Sequence, residues 1–390
     1  MNKISMTEIM FLTVAVTVAT AVMFTPYLMA QAAGQDAWLS VIVSGVITTI
    51  PAMAAATLMS KFPGQSIVQA LPCLLGKLLG KLVSLAYIGY FLFAAALALW
   101  RLEAFTARFI LVDTPQLAVR ILFILVVTYA SMSGATPLIR VGAYVVPVGI
   151  IVILLVVGLP IAQMEPAFLL PIFETGYQPM LQGGIMLLGW LCQVPVIILM
   201  FQRYAKTKNS RQASKLAVLG VILSAFALEL GAVGTLAVFG PRQSASMYYP
   251  AFEVARIVSV GQFIEHIEVL FVAVWVAGIF LATAAYVQAF GDSISDVFNF
   301  KGRAAKTWIM AGTALLLILW PLFFRDLSFL LLIASIRDYA SPPTVVLGGI
   351  VPLLLLARVK IWPVRQKEIG DGGEAALAME SEEESSQQKQ

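Results

Sequence analysis

The sequence predicts an all-α integral membrane protein with ten transmembrane helices, arranged as two halves of five. Only 12% of its 390 residues are charged and 60% are apolar, whereas about 25% of the residues of an average soluble domain are charged. Apolar windows of about 20 residues, the length that crosses a bilayer as a helix, recur along the chain. Basic residues concentrate on alternate connecting segments, as they do in multi-pass membrane proteins.

The ten predicted spans are apolar windows bounded by glycine, proline and charge. They cover residues 8–30, 38–60, 82–107, 116–133, 141–162, 181–202, 215–239, 264–290, 305–324 and 340–358. The stretch 328–336 is too short to cross and is expected to form an interfacial or re-entrant helix. Residues 1–362 are thus predicted to form one membrane domain, and the Glu-, Ser- and Gln-rich residues 363–390 a disordered tail.

Both termini are predicted to lie in the cytoplasm. Ten spans place the two ends on one side, and 18 of the 25 basic residues fall on segments of that side, which the positive-inside rule makes cytoplasmic. The other seven are Arg101, Arg108, Arg120, Arg242, Arg256, Arg325 and Arg337. The first span is expected to be retained, because it is long for a signal peptide and contains Pro26.

Spans one and six have interrupted helical patterns and occupy corresponding positions in the two halves. Pro26 removes a backbone donor from span one, and span six contains Gly183-Gly184, Gly189 and Pro195. Matched interruptions are typical of transporter-like proteins, whose binding site lies at the bilayer midplane between the broken helices. The alternative is that proline and glycine only kink these two helices.

Several segments resemble the spore germinant receptor B subunits, the GerAB-type proteins of the amino acid/polyamine/organocation transporter superfamily. The most specific resemblance lies in Tyr249-Pro250-Ala251-Phe252-Glu253-Val254-Ala255-Arg256, Gln262-Phe263-Ile264-Glu265-His266-Ile267-Glu268 and Trp275. Weaker matches are Ala19-x-Ala21-Val22-Met23-x-x-Pro26, Asp36-Ala37-Trp38 and Gly89-Tyr90-Phe91-Leu92.

Two positions depart from that family's pattern. Ala19 and Ala21 replace both glycines of a Gly-x-Gly element, which narrows the closest approach of a ligand to the backbone. His266 stands where the family usually has a base such as arginine. We expect His266 to be hydrogen-bonded at the outer interface, and a pH sensor is the alternative.

The resemblance implies a LeuT-type fold of two inverted five-helix repeats in the inner membrane of an endospore. It further implies that the chain binds a nutrient germinant, an amino acid or similar small molecule, and triggers germination with an A subunit and a lipoprotein C subunit. An autonomous amino acid permease and a structural membrane partner with a vestigial pocket are the alternatives. A sensor is favoured over a pump, because span five has no lysine and span eight offers only Thr283 near the sodium position of related transporters.

The predicted ligand-binding residues lie on spans one, three, six and eight, with the broken segments facing each other and the other two spans as walls. They are Thr20, Ala21, Val22, Met23, Tyr90, Ala94, Gly189, Trp190, Gln193, Thr283 and Tyr286. Because this set contains no arginine or lysine, the ligand is expected to be a small zwitterion or neutral molecule held by helix termini. Core packing is the alternative role of the aromatic residues.

Other charged residues carry weaker expectations. Arg101 and Glu103, at the end of span three beside Trp100, are expected at the outer headgroup level, and an extracellular gate is the alternative. Glu229, inside span seven, is either a pathway residue or an acid satisfied by water. The sequence contains no nucleophile elbow, P-loop or zinc-protease motif, so we expect neither an enzyme nor a cofactor, metal or nucleic-acid partner.

Overall fold

The computed structural model describes residues 4–205, 209–258, 266–300, 302–323 and 342–362. These residues are helical apart from short connections and one isolated bridge between Ile4 and Ala205. The predicted helix at 328–336 and the predicted tail at 363–390 lie outside the described residues. The division into a membrane domain and a tail therefore stays a prediction.

Fourteen helices, numbered in chain order, make up most of the described part of the chain, and short 3₁₀ helices connect some of them. The first seven are α1 (Met6–Ala21), α2 (Thr25–Ala33), α3 (Ala37–Met59), α4 (Ile67–Leu75), α5 (Lys77–Phe109), α6 (Gln116–Met132) and α7 (Ala135–Gly158). The others are α8 (Gln178–Leu191), α9 (Gln193–Phe201), α10 (Ser210–Ser244), α11 (Pro250–Ile257), α12 (Ile267–Phe298), α13 (Arg303–Phe323) and α14 (Pro342–Ile361).

Length and composition decide which of these helices can cross a bilayer. Eight helical segments of at least 18 residues are apolar enough to cross, while α1 and α6 are shorter. The prediction of an all-α multi-pass membrane protein is therefore confirmed. The count of ten crossings stays a prediction.

Several helices continue well beyond the predicted apolar windows. α5 begins at Lys77 rather than residue 82, and α12 ends at Phe298 rather than residue 290. The headgroup regions add several ångströms to the hydrocarbon thickness, and a helix that continues into them keeps its internal hydrogen bonds while it exposes charged side chains. The apolar windows therefore mark the membrane core and not the helix ends.

α1 lies at the centre of the bundle, where it packs against α7, α10 and α12. Nearly all of its side chains are buried, as expected for a helix that is apolar on all sides. Glycines on its neighbours permit this close packing. A Cβ added to Gly278 of α12 would lie 2.7 Å from the Cβ of Ala19, and one added to Gly142 of α7 would lie 3.1 Å from the Cα of Leu12.

α14 contains a π-helical turn at Val345–Ile350, and this turn packs against span six. The carbonyl oxygen of Leu347 accepts a 2.7 Å hydrogen bond from the hydroxyl of Tyr87. A Cβ on Gly348 would lie only 2.2 Å from the carbonyl oxygen of Cys192. Tertiary contacts thus hold a π-turn beside the point where span six is interrupted.

Candidate functional site

Span one is interrupted at Val22-Met23-Phe24, between α1 and α2. Pro26 is the second residue of α2, a position where the missing backbone N–H costs little. The hydroxyl of Thr25 donates to the carbonyl oxygen of Ala21 across 2.9 Å. The predicted interruption is present, and it lies just before Pro26.

Two tryptophan side chains bond the carbonyl groups that precede this interruption. The indole Nε1–H of Trp275, on α12, donates to the carbonyl oxygen of Ala19 at 2.9 Å. That of Trp190, on α8, donates to the carbonyl oxygen of Thr20 at 3.1 Å. All four residues are buried, so these bonds satisfy carbonyl groups that would otherwise be costly inside the bilayer.

Span six is interrupted at a single residue, Cys192, which separates α8 from α9. The N–H of Val196 lies 3.4 Å from the carbonyl oxygen of Cys192, a long hydrogen bond, and Pro195 contributes no N–H. The earlier Gly183-Gly184 does not break the helix. A Cβ on Gly183 would lie 2.5 Å from the hydroxyl oxygen of Ser40, so this pair of glycines allows α8 to pack closely against α3.

A chain of polar side chains joins the two interrupted spans. The amide Oε1 of Gln193, at the start of α9, accepts hydrogen bonds from the hydroxyls of Thr20 at 3.0 Å and Tyr286 at 2.8 Å. The ring of Tyr90 stands edge-on to that of Tyr286, with 6.3 Å between centroids, and its hydroxyl lies 3.4 Å from that of Thr344 on α14. Residues from five helices therefore meet around Gln193.

A narrow cavity lies against this polar chain. It is lined by Thr20, Tyr90, Phe93, Ala94, Leu97, Arg101, Gly189, Trp190, Gln193, Tyr286 and Thr344. Seven of these residues belong to the predicted binding set, which the structure therefore brings together from all four predicted spans. In this conformation the free space is about that of one water molecule.

The other four predicted site residues do not line this cavity. Ala21 and Met23 are fully buried in the surrounding core, and Val22 borders a separate apolar space between α1, α7, α10 and α12. The hydroxyl of Thr283 donates to the carbonyl oxygen of Ile279 in its own helix, at 2.8 Å. Their contact with a ligand stays a prediction.

Arg101 corrects one expectation drawn from the sequence. Only 4% of the residue is exposed, so other protein atoms surround it, and its expected depth at the outer headgroup level stays a prediction. It lines the cavity, and its guanidinium carbon is 5.8 Å from the ring centroids of both Phe24 and Trp190. The expectation that the pocket has no arginine is therefore wrong.

Glu103 is also buried, with 1% of the residue exposed. It forms a two-point salt bridge with Arg120 of α6, whose Nε lies 2.5 Å from Oε1. This pair joins the C-terminal end of α5 to the N-terminal end of α6. The carboxylate of Glu103 is thus already paired and is not the partner of Arg101.

Aromatic rings close the predicted outer end of the bundle above the cavity. The ring of Phe24 packs on that of Tyr249 at 5.4 Å, and Phe105 contacts the rings of Tyr249, Phe252 and Trp275 at 5.3, 5.1 and 4.9 Å. Tyr249 and Phe252 belong to the segment around α11 that carries the family resemblance. The residues Gln262 to Glu265 of that resemblance lie outside the described part.

Charged and polar side chains close the opposite end. The carboxylate of Asp296, on α12, accepts hydrogen bonds of 2.7 Å each from Ser66, Gln69 and Arg203. Neighbouring Asp292 accepts a 2.6 Å bond from the hydroxyl of Tyr204. Packed side chains therefore connect neighbouring helices at both ends of the described bundle.

Glu229 and His266 lie away from the cavity. One carboxylate oxygen of Glu229, Oε2, is buried without a hydrogen-bond partner among the described residues. The exposed side chain of His266 lies 2.9 Å from a carboxylate oxygen of Glu268. That contact agrees with the hydrogen bond expected of His266, and the two roles considered for Glu229 stay open.

Two solved structures of one transporter share this arrangement of helices. A manganese transporter of Eremococcus coleocola, solved as a mutant, superposes with a TM-score of 0.56 over 90% of this chain and 76% of its own, at 13% identity. The same transporter in complex with an aromatic bis-isothiourea compound superposes with a TM-score of 0.54. That superposition covers 95% of this chain and 92% of the transporter, at 12% identity. The fold is that of the LeuT-type transporters, as predicted.

Sequence comparison then defines the family. The family described as spore germination protein matches residues 3–324, and the chain belongs to it. Spore germination protein YndE of Bacillus subtilis is 24% identical over 86% of this chain and 90% of its own. The putative spore germination protein YfkT of the same organism is 27% identical over 75% of this chain and 80% of its own length. Spore germination protein B2 of Bacillus subtilis is 19% identical over 87% of this chain and 91% of its own length. The resemblance to GerAB-type proteins is confirmed.

Proposed function

We propose that this chain is the nutrient-sensing subunit of a germinant receptor in the inner membrane of a spore. It binds an amino acid or similar small molecule in the cavity between spans one and six, and this binding triggers germination. The observation that carries the proposal is the bonding of Gln193 to Thr20 and Tyr286 at the wall of that cavity. A buried polar chain between two interrupted helices is a site where ligand binding can change how the helices pack.

Family membership supports the germination role, and the contacts around span one support a sensor over a pump. A sodium-coupled transporter needs several free oxygen atoms around the ion. The carbonyl oxygens of Ala19 and Thr20 each already accept a hydrogen bond from an indole N–H group. These oxygens stabilise the fold in the described conformation.

The proposal includes A and C subunits as partners. A change of packing between helices inside the bilayer must reach the rest of the spore through contacting proteins. We therefore expect the chain to be inactive without such partners. We also propose that both termini lie on the cytoplasmic side. Restoration of a full nutrient response by this chain alone would contradict the receptor complex.

A deletion strain tests the proposal. Its spores should lose germination to at least one nutrient in a panel of single amino acids, sugars and nucleosides, while uptake of that nutrient by vegetative cells stays unchanged. If the purified chain in proteoliposomes instead accumulates the nutrient, and the deletion lowers vegetative uptake, the chain is an autonomous permease. Unchanged germination to every nutrient, at normal levels of other receptors, would contradict a sensing role.

A further inference from the structure

Arg101 is a buried cation for which the described residues provide no counter-charge. It forms no hydrogen bond or ion pair within the described part of the chain, and its Nε atom is fully buried without a partner. The nearby carboxylate of Glu103 is engaged by Arg120. An unpaired buried charge costs several kcal/mol, far more than an exposed one.

The aromatic neighbours of Arg101 compensate only part of this cost. The rings of Phe24 and Trp190 lie 5.8 Å from the guanidinium carbon, a distance at which cation–π attraction contributes about 0.5–2 kcal/mol for each ring. Neither ring accepts hydrogen bonds from the guanidinium N–H groups as an oxygen atom does. The guanidinium N–H groups therefore stay without acceptors beside the cavity that Arg101 lines.

We propose that Arg101 binds the carboxylate of the ligand, so that the germinant is a small carboxylic acid. This inference rests on the function proposed above and names the ligand class of the same cavity. Guanidinium and carboxylate groups form two parallel hydrogen bonds, a geometry that other cations do not reproduce. The ligand is held by a side chain of α5 and not, as the sequence indicates, by helix termini alone.

The rest of the lining defines the other end of the ligand. From Arg101 the cavity extends along one face of α5 past Leu97 and Ala94 to Tyr90, and it reaches Tyr286 and Gln193 on the facing helices. Its described lining contains one cation and no aspartate or glutamate. The carboxylate is therefore required, whereas an ammonium group has only hydroxyl, amide and aromatic partners.

The narrowness of the cavity gives binding a structural consequence. The free space of about one water molecule does not admit an amino acid. A carboxylate that pairs with Arg101 must therefore move this side chain or Trp190, which also donates to the carbonyl oxygen of Thr20. Ligand binding and the contact between the two interrupted spans are coupled through these residues.

Spores that carry the whole receptor allow a direct test with matched pairs of probes. The probes are the twenty common L-amino acids and their carboxamides, which keep the shape and lose the negative charge. The measured quantity is the chain-dependent response, which is the germination of spores that contain this chain minus that of spores from the deletion strain. At least one acid should trigger it, and the matching carboxamide should need a concentration at least about 30-fold higher, the factor that corresponds to loss of a buried charge pair.

Variants of the arginine complete the test. Arg101→Gln should raise the half-maximal concentration of the acid by at least about 30-fold, and Arg101→Lys, which keeps the charge without the fork, by less. Arg108→Gln is the matched control, because Arg108 lies on the same helix with an exposed side chain, and it should leave the response unchanged. Immunoblots of spore membranes compare the amounts of each variant.

Each result has a definite meaning. Equal potency of acid and carboxamide, or a normal response of Arg101→Gln at normal abundance, would overturn the inference. Chain-dependent germination only to nutrients that have no carboxylate, such as the sugars and nucleosides of the panel above, would also overturn it, while the sensing function would stand. If no nutrient gives a chain-dependent response, the sensing function itself fails. If the Arg101→Gln chain is missing from membranes, the inference is tested by the potencies of acid and carboxamide on spores with the unsubstituted chain.

Discussion

The indole Nε1–H of Trp190 donates to the carbonyl oxygen of Thr20 across 3.1 Å and thereby ties the end of α8 to the end of α1. Both residues border the cavity. The ring centroid of Trp190 also lies 5.8 Å from the guanidinium carbon of Arg101. The interruption of span one is thus held partly by span six. Whatever displaces Trp190 also releases a backbone carbonyl in the neighbouring half of the protein.

Replacing Trp190 by phenylalanine should destabilise this junction. The ring is largely preserved, but the carbonyl oxygen of Thr20 loses its donor inside the core, which costs about 1–3 kcal/mol. The measurement is thermal unfolding of the purified chain in detergent. Trp308→Phe is the control, since Trp308 is 77% exposed, and its unfolding temperature should match that of the unchanged chain. Equal effects of the two substitutions would count against the hydrogen bond.

Replacing Glu103 by glutamine should destabilise the chain strongly, because it leaves the largely buried Arg120 without its charge partner. Breaking a buried pair in this way costs about 3–5 kcal/mol. Glu253→Gln removes the partner of the exposed Arg256, and that loss should be about 0–1 kcal/mol. Chemical unfolding curves of the two variants compare them. A small loss for Glu103→Gln would contradict a buried pair and show that it is solvated.

Replacing Gly348 by alanine should separate α14 from the interruption of span six. The new Cβ would lie 2.2 Å from the carbonyl oxygen of Cys192, so backbone must shift, and overpacking of this kind costs about 1–3 kcal/mol. The adjacent Gly349 is the control, because its nearest contact outside its own helix would be 3.5 Å from the Sγ of Cys192. Membrane abundance should fall for Gly348→Ala and stay normal for Gly349→Ala. The reverse order would contradict the packing of the π-turn.

Replacing Asp296 by asparagine should open the end of the bundle that is predicted to face the cytoplasm. Three donors converge on this carboxylate, and the substitution leaves the guanidinium of Arg203 unpaired. A cysteine introduced at the fully buried Ser293 should then react with a maleimide about tenfold faster, which corresponds to about 1.4 kcal/mol. Asp113→Asn, at an exposed position, should leave the rate unchanged. An unchanged rate in Asp296→Asn would show that the cluster does not close this end.

The fold class and much of the cavity could be predicted from sequence because they depend on local patterns. Apolar length identifies the spans, and proline or glycine at matching places in two halves identifies the interrupted helices. The sequence predicts that Tyr90 and Ala94 share one face of span three. Continuing that helical spacing gives Leu97 and Arg101, which also line the cavity. The charge of Arg101, beside Trp100 near the span's end, instead suggested a headgroup anchor.

Other contacts depend on tertiary packing that no local pattern encodes. The helix α8 runs through Gly183-Gly184, because those glycines serve the approach of α3 and not a break. Thr344 reaches the cavity from α14, whose π-turn is held by Tyr87 and by close packing on Cys192. Such a turn arises from contacts between residues far apart in sequence, so it could not be predicted from span ten alone.

Enlargement of Ala94 tests the central claim, that the cavity is where the nutrient acts. Ala94 lines the cavity on α5, and leucine at this position would fill the space next to Tyr90 and Trp190. Ala86, two helical turns earlier and exposed, provides the matched substitution. In spores with normal amounts of each protein, Ala94→Leu should raise the nutrient concentration needed for half-maximal germination by tenfold or more, about 1.4 kcal/mol, and Ala86→Leu should not. An unchanged dose response in Ala94→Leu at normal abundance would contradict the account.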